Sequence, residues 1–552
     1  MLRRSLSMAR AAAVKRHTPR AMSTIIHKSP HPELEIPNKT IFDIVGEQVD
    51  GYGKRNALIC GLSHETVTYE EMYDSAKRIA AALVNDGVKR GDVVLLHSFN
   101  CMEYPQVVLA LTSIGAVCST ASPMFSGEEL ALQARVAKAK FIITNRALEN
   151  VAIDAAERVG MDKSNIYTVG GSNEPKKLKC INEASKRDFD FFNFEPVNAN
   201  ENMLLPFSSG TTGLPKGVAL SARNMVANVI QVSHVEDFGH SMIAVLPFFH
   251  IYAMWLMHVA MFQGAANVVL PRFEPKSFLD TLSKYKIPKA NIAPPIGIFL
   301  AHHPLVDDYD LSATKFLVSG GAPMGKEVET LVSKRLNVKV KQAYGMTEAS
   351  PAVNYTEDHW CKPGSVGRIM PNTELRVKCT ETDKDLPHNV SGELLFRGPQ
   401  IMLGYRDNEE ATRKTLTPDG FLRTGDIGYI DDDGFVFIVD RVKELIKYKG
   451  HQVAPAELED VLNHHPQISD ACAVRGYDEN GEEYPKAFVV LKDKTNPGNL
   501  TAEAVMEFVA SKVAPFKKVR EVEFIDAIPK SPTGKILRRQ LQAMENERHN
   551  RS

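Results

Sequence analysis

The sequence predicts an α/β protein: a large N-terminal part built on parallel sheets, followed by a small α+β unit. Three observations carry this. Across much of residues 38–340, amphipathic helical patterns alternate with short apolar runs, the mark of βα units that set strands in parallel. From about residue 361 to 440 the runs become short and alternating, divided by Gly, Pro and Asp, which reads as an antiparallel β unit. Beyond residue 441, about 110 residues mix helical and strand-like patterns, enough chain to fold alone.

In chain order, residues 69–86 place Met72, Ala76, Ile79 and Leu83 on one helical face, and 93–97 follows as a strand. Residues 105–114 read as helix and 141–144 as strand. An apolar run at 203–207 leads into a Gly-rich loop, and 222–235 carries a helical pattern after it. Runs at 282–287, 291–294 and 316–319 continue the alternation. In the antiparallel unit, strands are expected at 374–378, 392–398, 428–430 and 435–439. The Asp-Asp-Asp-Gly of 431–434 separates the last two and is expected to be a hairpin turn rather than a metal loop. A basic stretch with Lys443, Lys447 and Lys449 follows. Leu458, Val461 and Leu462 then mark a helix at 454–465, strands are expected at 472–474 and 487–491, and Val505, Phe508 and Val509 mark another helix. The boundary between the large unit, 33–440, and the small one, 444–552, falls at 441–443.

Composition narrows the function. The chain has 552 residues, 43% hydrophobic and 24% charged, the proportions of an ordinary globular protein. A net charge of -1 provides no global field for nucleic acid or an anionic membrane. Seven scattered cysteines without a Cys-x-x-Cys pair suit a reducing compartment and form neither a disulfide framework nor a zinc site. Residues 241–271 contain no Asp, Glu, Lys or Arg and are long enough to suggest a membrane span. Pro247, His250, His258, Gln263 and Gly264 interrupt them, so a doubly buried strand–helix core is expected instead.

The first 32 residues hold seven Lys or Arg and no acid before Glu33, the composition of a mitochondrial transit peptide; a plain basic tail is the alternative. Initiation at Met22 would remove most of this signal and leave a cytoplasmic product. The final residues, His549 to Ser552, are not a peroxisomal Ser-Lys-Leu.

Chemistry concentrates in polar islands. The foremost is 209–217, Ser-Gly-Thr-Thr-Gly-Leu-Pro-Lys-Gly, whose three glycines, three hydroxyls and Lys216 suit a polyphosphate, although the spacing is not that of a Walker loop. Others are Pro-Phe-Phe-His-Ile-Tyr at 247–252, Ser-Gly-Gly-Ala-Pro at 319–323 and Gln-Ala-Tyr-Gly-Met-Thr-Glu at 342–348. Thr-Gly-Asp at 424–426, Asp-Arg at 440–441, Lys-Tyr-Lys-Gly-His-Gln at 447–452 and Pro-Lys-Ser-Pro-Thr-Gly-Lys at 529–535 complete the set. Singly, each has a bland reading: His250 as a satisfied core histidine, Glu348 as a helix cap, Asp426 as a turn residue, Lys535 as a solvated loop lysine.

Together these islands resemble the adenylate-forming superfamily of acyl-CoA synthetases, coumarate–CoA ligases, luciferase and peptide-synthetase adenylation domains, over about residues 35–545. The texture is most similar to coumarate–CoA ligases and related acyl-CoA synthetases, but the box at 392–398 lacks the central cysteine of the plant ligases. The resemblance implies two α/β sheet subdomains and a small β-barrel (about 361–440) in the large unit, with a mobile C-terminal unit turning about a hinge at 441–443. It implies ATP, coenzyme A and Mg²⁺, and two steps: formation of an acyl-AMP, then transfer of the acyl group to the thiol.

Residue roles carry over by motif. Ser208, Ser209, Gly210, Thr211, Thr212 and Lys216 would hold the β- and γ-phosphates. Gly321, Ala322, Gln342, Ala343, Tyr344 and Gly345 would line the adenine site. Thr347 would contact a phosphate, Glu348 would hold Mg²⁺, Asp426 the ribose hydroxyls, and Arg441 and Lys447 would add nucleotide contacts. Lys535 would bridge the carboxylate and α-phosphate, and Lys443 would serve as the hinge. Arg272, Lys449, Gly450 and Gln452 would meet coenzyme A. His250 would orient the carboxylate at the mouth of an acyl pocket lined by Tyr252, Trp255, Met346, Pro351 and Ala352. That mostly apolar lining implies a medium-chain fatty acid or an aryl acid. A superfamily member with another acceptor, a carrier-protein thiol or oxygen, is the alternative. The acid itself and the oligomeric state are open.

Overall fold

The computed structural model describes residues 24–170, 178–184, 186, 196–208, 216–449, 451–479, 481–492, 500–530 and 536–551. The N-terminal part holds two α/β layers. At the centre of the first, Val93–His97 lies parallel to Val117–Ala121 on one side and Ala139–Asn145 on the other. Ile166–Val169 and Lys179–Cys180 extend that sheet, and on its other flank Asn202–Leu204 leads to Lys216–Ser221 and Phe207–Ser208. All five residues of the Val93–His97 strand are buried, as expected of a strand covered on both faces.

The second layer joins two sheets. One pairs Ser241–Ala244, Ala266–Val269, Asn56–Cys60 and Thr66–Thr68. The other runs Lys289–Ile292, Phe316–Ser319, Lys339–Gly345, Ala352–Tyr355 and Arg368–Ile369, its first three strands parallel. The uncharged segment forms strand, helix and strand here: Ser241–Ala244, Ile251–Gln263 and Ala266–Val269. Its helix is apolar all round because it is buried on every side, and no helix among the described residues is long and apolar enough to cross a membrane. It ends at Gly264, whose φ of 75° places it in the left-handed region that glycine tolerates.

The helix Ala222–Val235 ties these layers together. Ser221 and Asn224 cap it reciprocally, and Met225, Val226, Val229 and Val232 enter the core. Its two buried amides reach outward. Asn228 donates to the Ala352 carbonyl (2.8 Å) and accepts from the Ala352 N–H (3.0 Å), while Gln231 donates to the Pro371 carbonyl (2.6 Å).

The strands expected between 361 and 440 form a five-stranded sheet in the order His27–Lys28, Glu374–Lys378, Gly392–Arg397, Leu422–Ile430 and Val436–Arg441, in which the strand expected at 428–430 begins earlier, at Leu422, and His27–Lys28 adds an unexpected edge. The acid run between the last two is a turn: Asp431 accepts from the N–H groups of Asp433 and Phe435, and Gly434 has a φ of 82°. In the C-terminal unit, a hairpin of Ile446–Tyr448 and His451–Val453 precedes the helix Pro455–Asn463. A three-stranded sheet of Ile468–Tyr477, Glu483–Leu491 and Glu521–Phe524 carries its own core of Val489, Val505 and Val509.

Candidate active site

Three strand ends and one short turn assemble the site. Lys216 begins the strand Lys216–Ser221, in register with Ser208. Its ammonium lies 4.8 Å from the centre of the Tyr405 ring. The Tyr405 hydroxyl donates to Glu348 at 2.8 Å. Glu348 is buried in the short turn Thr347–Ala349 that follows the strand Lys339–Gly345, and its carbonyl accepts from Met402 N–H. Lys216 and Glu348, 132 residues apart in the chain, thus meet through the Tyr405 side chain, with Thr347 next to Glu348 in its turn. Residues 209–215 lie outside the described residues.

A second polar cluster stands beside it. Asp426 and Arg441 are register partners on neighbouring strands. Tyr344 donates to one carboxylate oxygen of Asp426 at 2.5 Å, and Arg441 faces the other at 3.3 Å. Burial, and then the Asp426 carboxylate, push the Tyr344 phenol well above its usual range, so it remains a donor. Lys443, two residues past Arg441, has its ammonium pKa lowered, first by desolvation and then by the charge of Lys216.

The adenine-side residues arrive by register. Ser319 pairs with Gln342, so the 320–322 turn sits at the end of the strand beside Gln342. The Gln342 amide is already engaged, donating to the Met324 carbonyl (3.3 Å) and to Glu329 (3.2 Å) and accepting from Met324 N–H. It fastens the chain just past Gly321 and Ala322. Gly345 is obligatory, because a Cβ there would come within 2.2 Å of the Pro351 carbonyl oxygen.

His250 caps the Ile251–Gln263 helix, its Nδ1 accepting from Tyr252 N–H. The Tyr252 ring lies against Gly320, where a Cβ would be 2.8 Å from it. Met346 stands partly buried at the end of the neighbouring strand, with Pro351 and Ala352 buried just beyond. Trp255, expected to line the acyl pocket, has no exposed surface and stands behind Tyr252, because one helical turn carries it toward the core.

In the C-terminal unit, Lys447 pairs with Gln452 across the hairpin, and Lys449 is exposed with a φ of 47°. Gly450 and Lys535 lie outside the described residues, as does the Gln452 side chain. The chain flanking Lys535 is held by a bridge between Lys530 and Ile536 and by Arg538, which pairs with Glu459 at 2.7 Å. Arg272 is exposed between Ala266–Val269 and Pro275–Lys284.

The family model for the AMP-binding enzyme matches residues 45–406, and that for the AMP-binding enzyme C-terminal domain matches 457–535. The chain belongs to the AMP-binding enzyme family. It is 38% identical over 94% of its length to 4-coumarate–CoA ligase 2 of Nicotiana tabacum, covering 97% of that protein, and 38% identical to 4-coumarate–CoA ligase of Vanilla planifolia over 94% and 96%. Its fold superposes on ATP-bound MatB from Rhodopseudomonas palustris with a TM-score of 0.83 and 25% identity, covering 92% of this chain and 99% of that one.

In this AMP-binding enzyme, the described residues contain no group of three or more His, Cys, Asp or Glu that could hold a metal ion. Glu348 is a lone buried carboxylate beside the Lys216 strand. One carboxylate completed by substrate phosphates is a donor set that fits magnesium. Sequence reasoning missed Tyr405, which links Lys216 to Glu348. Only the Gly404–Tyr405 pairing with Lys216–Ser221 reveals it, and that pairing spans almost two hundred residues.

Proposed function

We propose that this AMP-binding enzyme is an AMP-forming acid–thiol ligase that activates a medium-chain or aryl carboxylic acid and passes the acyl group to coenzyme A. The observation that carries this reading is the Lys216–Tyr405–Glu348 contact, with the Asp426–Arg441 pair bound to Tyr344, four residues before Glu348. In the first step a carboxylate oxygen attacks the α-phosphorus of ATP, the bond to pyrophosphate breaks, and acyl-AMP forms. The barrier is the approach of one anion to another, so a cluster of cations and donors supplies the catalysis. Lys216 holds the departing pyrophosphate, Asp426 receives the ribose hydroxyls, and Lys535 spans the carboxylate and α-phosphate. Glu348, with the substrate phosphates, would hold magnesium, which would supply positive charge against the phosphate oxygens. In the second step the thiol sulfur attacks the acyl carbon, AMP leaves, and the thiol proton passes to solvent. Turning about Lys443 would exchange Lys535 for the face bearing Lys447, Lys449 and Gln452. The basic, acid-free first 32 residues support delivery to mitochondria, and a product begun at Met22 would stay in the cytoplasm.

The test is a panel of acids from C4 to C18 with cinnamates and benzoates, assayed for acid-dependent ATP–pyrophosphate exchange and CoA-dependent AMP release. Both are expected with at least one acid. Exchange without CoA-dependent thioester would favour another acceptor, and exchange with no acid would overturn the reading.

A further inference from the structure

Residues 245–250 join the strand Ser241–Ala244 to the Ile251–Gln263 helix and end at His250, the residue expected to orient the acid's carboxylate. The segment lies in neither strand nor helix, so its backbone groups need partners from elsewhere. The first layer supplies them. Asn100 stands in the loop between the strand Val93–His97 and the helix Glu103–Ser113. Its amide nitrogen donates to the Leu246 carbonyl (2.9 Å) and the Ala244 carbonyl (3.3 Å), and its amide oxygen accepts from Phe248 N–H (2.7 Å). Thr120, near the end of the parallel strand Val117–Ala121, donates to the Phe249 carbonyl at 2.6 Å.

Asn100 and Thr120 are both buried. An amide carries two donors and an acceptor on one plane, which matches carbonyls at 244 and 246 and an N–H at 248; a carboxylate or an ammonium offers only half of that pattern. The Phe248 ring adds a packing contact to the same element, 5.4 Å from the Tyr104 ring between centres. The backbone is therefore fixed up to the residue before His250. There a tight turn closes, with His250 N–H donating to the Pro247 carbonyl (3.0 Å), and the His250 carbonyl accepts from Met254 N–H to start the helix. Loops of the first layer thus set where a histidine of the second layer stands.

We infer that Asn100 is a positioning residue that acts with Thr120 to hold His250 at the acid's carboxylate. The inference rests on the acid-activating function proposed above. Lys216, Glu348 and Asp426 are held by other contacts, so loss of Asn100 should impair use of the acid and spare use of ATP. The test is ATP–pyrophosphate exchange by the full chain, with acid and ATP varied separately, in N100A and T120V, each alone and combined with H250A. N100A is expected to lower kcat/KM for the acid by about 10- to 100-fold, the scale of a misplaced reactant, and to leave KM for ATP within about twofold of the parent. T120V removes one hydrogen bond and keeps the side-chain shape, and should lower the same constant about threefold even if N100A does not fold. In the H250A background either substitution should add less than about twofold, because the residue through which it acts is already gone. Equal losses with and without His250, equal changes for acid and ATP, or parental kinetics in T120V or H250A overturn this inference alone. A parent that exchanges pyrophosphate with no acid overturns it together with the proposed function.

Discussion

The Tyr405 hydroxyl and the Glu348 carboxylate lie 2.8 Å apart, and Lys216 sits over the same tyrosine ring. One aromatic side chain therefore fixes the spacing between the phosphate-side lysine and the carboxylate proposed to hold magnesium. A hydrogen bond to a charged group contributes about 1.5–3 kcal/mol. Y405F is expected to raise the magnesium concentration for half-maximal exchange by roughly tenfold, and E348Q to lower the rate by about 10²–10³. A magnesium titration of pyrophosphate exchange checks both.

Asp426 is held between Tyr344 and Arg441 and presents a fixed carboxylate. If it binds the ribose, D426A should raise KM for ATP by about 10- to 100-fold, the equivalent of losing charged hydrogen bonds, while KM for the acid changes little. Steady-state kinetics with each substrate varied separately decides it, and an equal rise in both constants would place Asp426 elsewhere in the reaction.

The two lysines divide the reaction. K535A should reduce acyl-AMP formation by about 10²–10³ while sparing thioester formation from supplied acyl-AMP. K443A should damage the second step more. Rapid-quench measurement of each half-reaction separates them, and equal damage to the same step by both variants would defeat the alternation of the C-terminal unit.

Asn228 satisfies both backbone groups of Ala352. N228A leaves a buried N–H and a buried carbonyl without partners, at about 1–3 kcal/mol each. A lower urea midpoint is expected, with a raised KM for the acid because Ala352 adjoins the proposed acyl pocket.

His258 is wholly buried on the Ile251–Gln263 helix, and burial lowers its pKa to about 3. The unfolded chain takes up this proton near pH 6.5 and the folded one does not. Stability from this group is therefore present above pH 6.5 and falls as pH drops toward 3, by about 2 kcal/mol at pH 5. Urea midpoints at pH 7 and 5 should converge in H258M relative to the parent.

The regular elements were legible because their periodicity is local. The helix Ala222–Val235 and the strands Val93–His97 and Glu374–Lys378 coincide with the sequence pattern. The uncharged stretch around Trp255 was readable as core because its interruptions break any membrane-length helix. The direction of Trp255 was not, since an all-apolar helix carries no amphipathic signal to say which face meets a pocket. Tyr405 escaped notice for a related reason: it acts through Glu348, 57 residues away, and an isolated tyrosine has no local mark.

What the sequence determined by itself was the order of folding units and the chemistry of the nucleotide end. Lys216, the 342–348 island, Asp426 and Arg441 lie in short motifs whose residue types already suit phosphate and ribose. What only the tertiary structure decided was how those motifs meet and which buried charges pair. Glu236, Lys289, Lys341, Asp358 and Tyr355 belong to separate elements, and only sheet register and helix packing place two lysines, two carboxylates and an aromatic ring in one buried contact. Burial makes breaking these pairs costly, and burial is a property of the assembled fold.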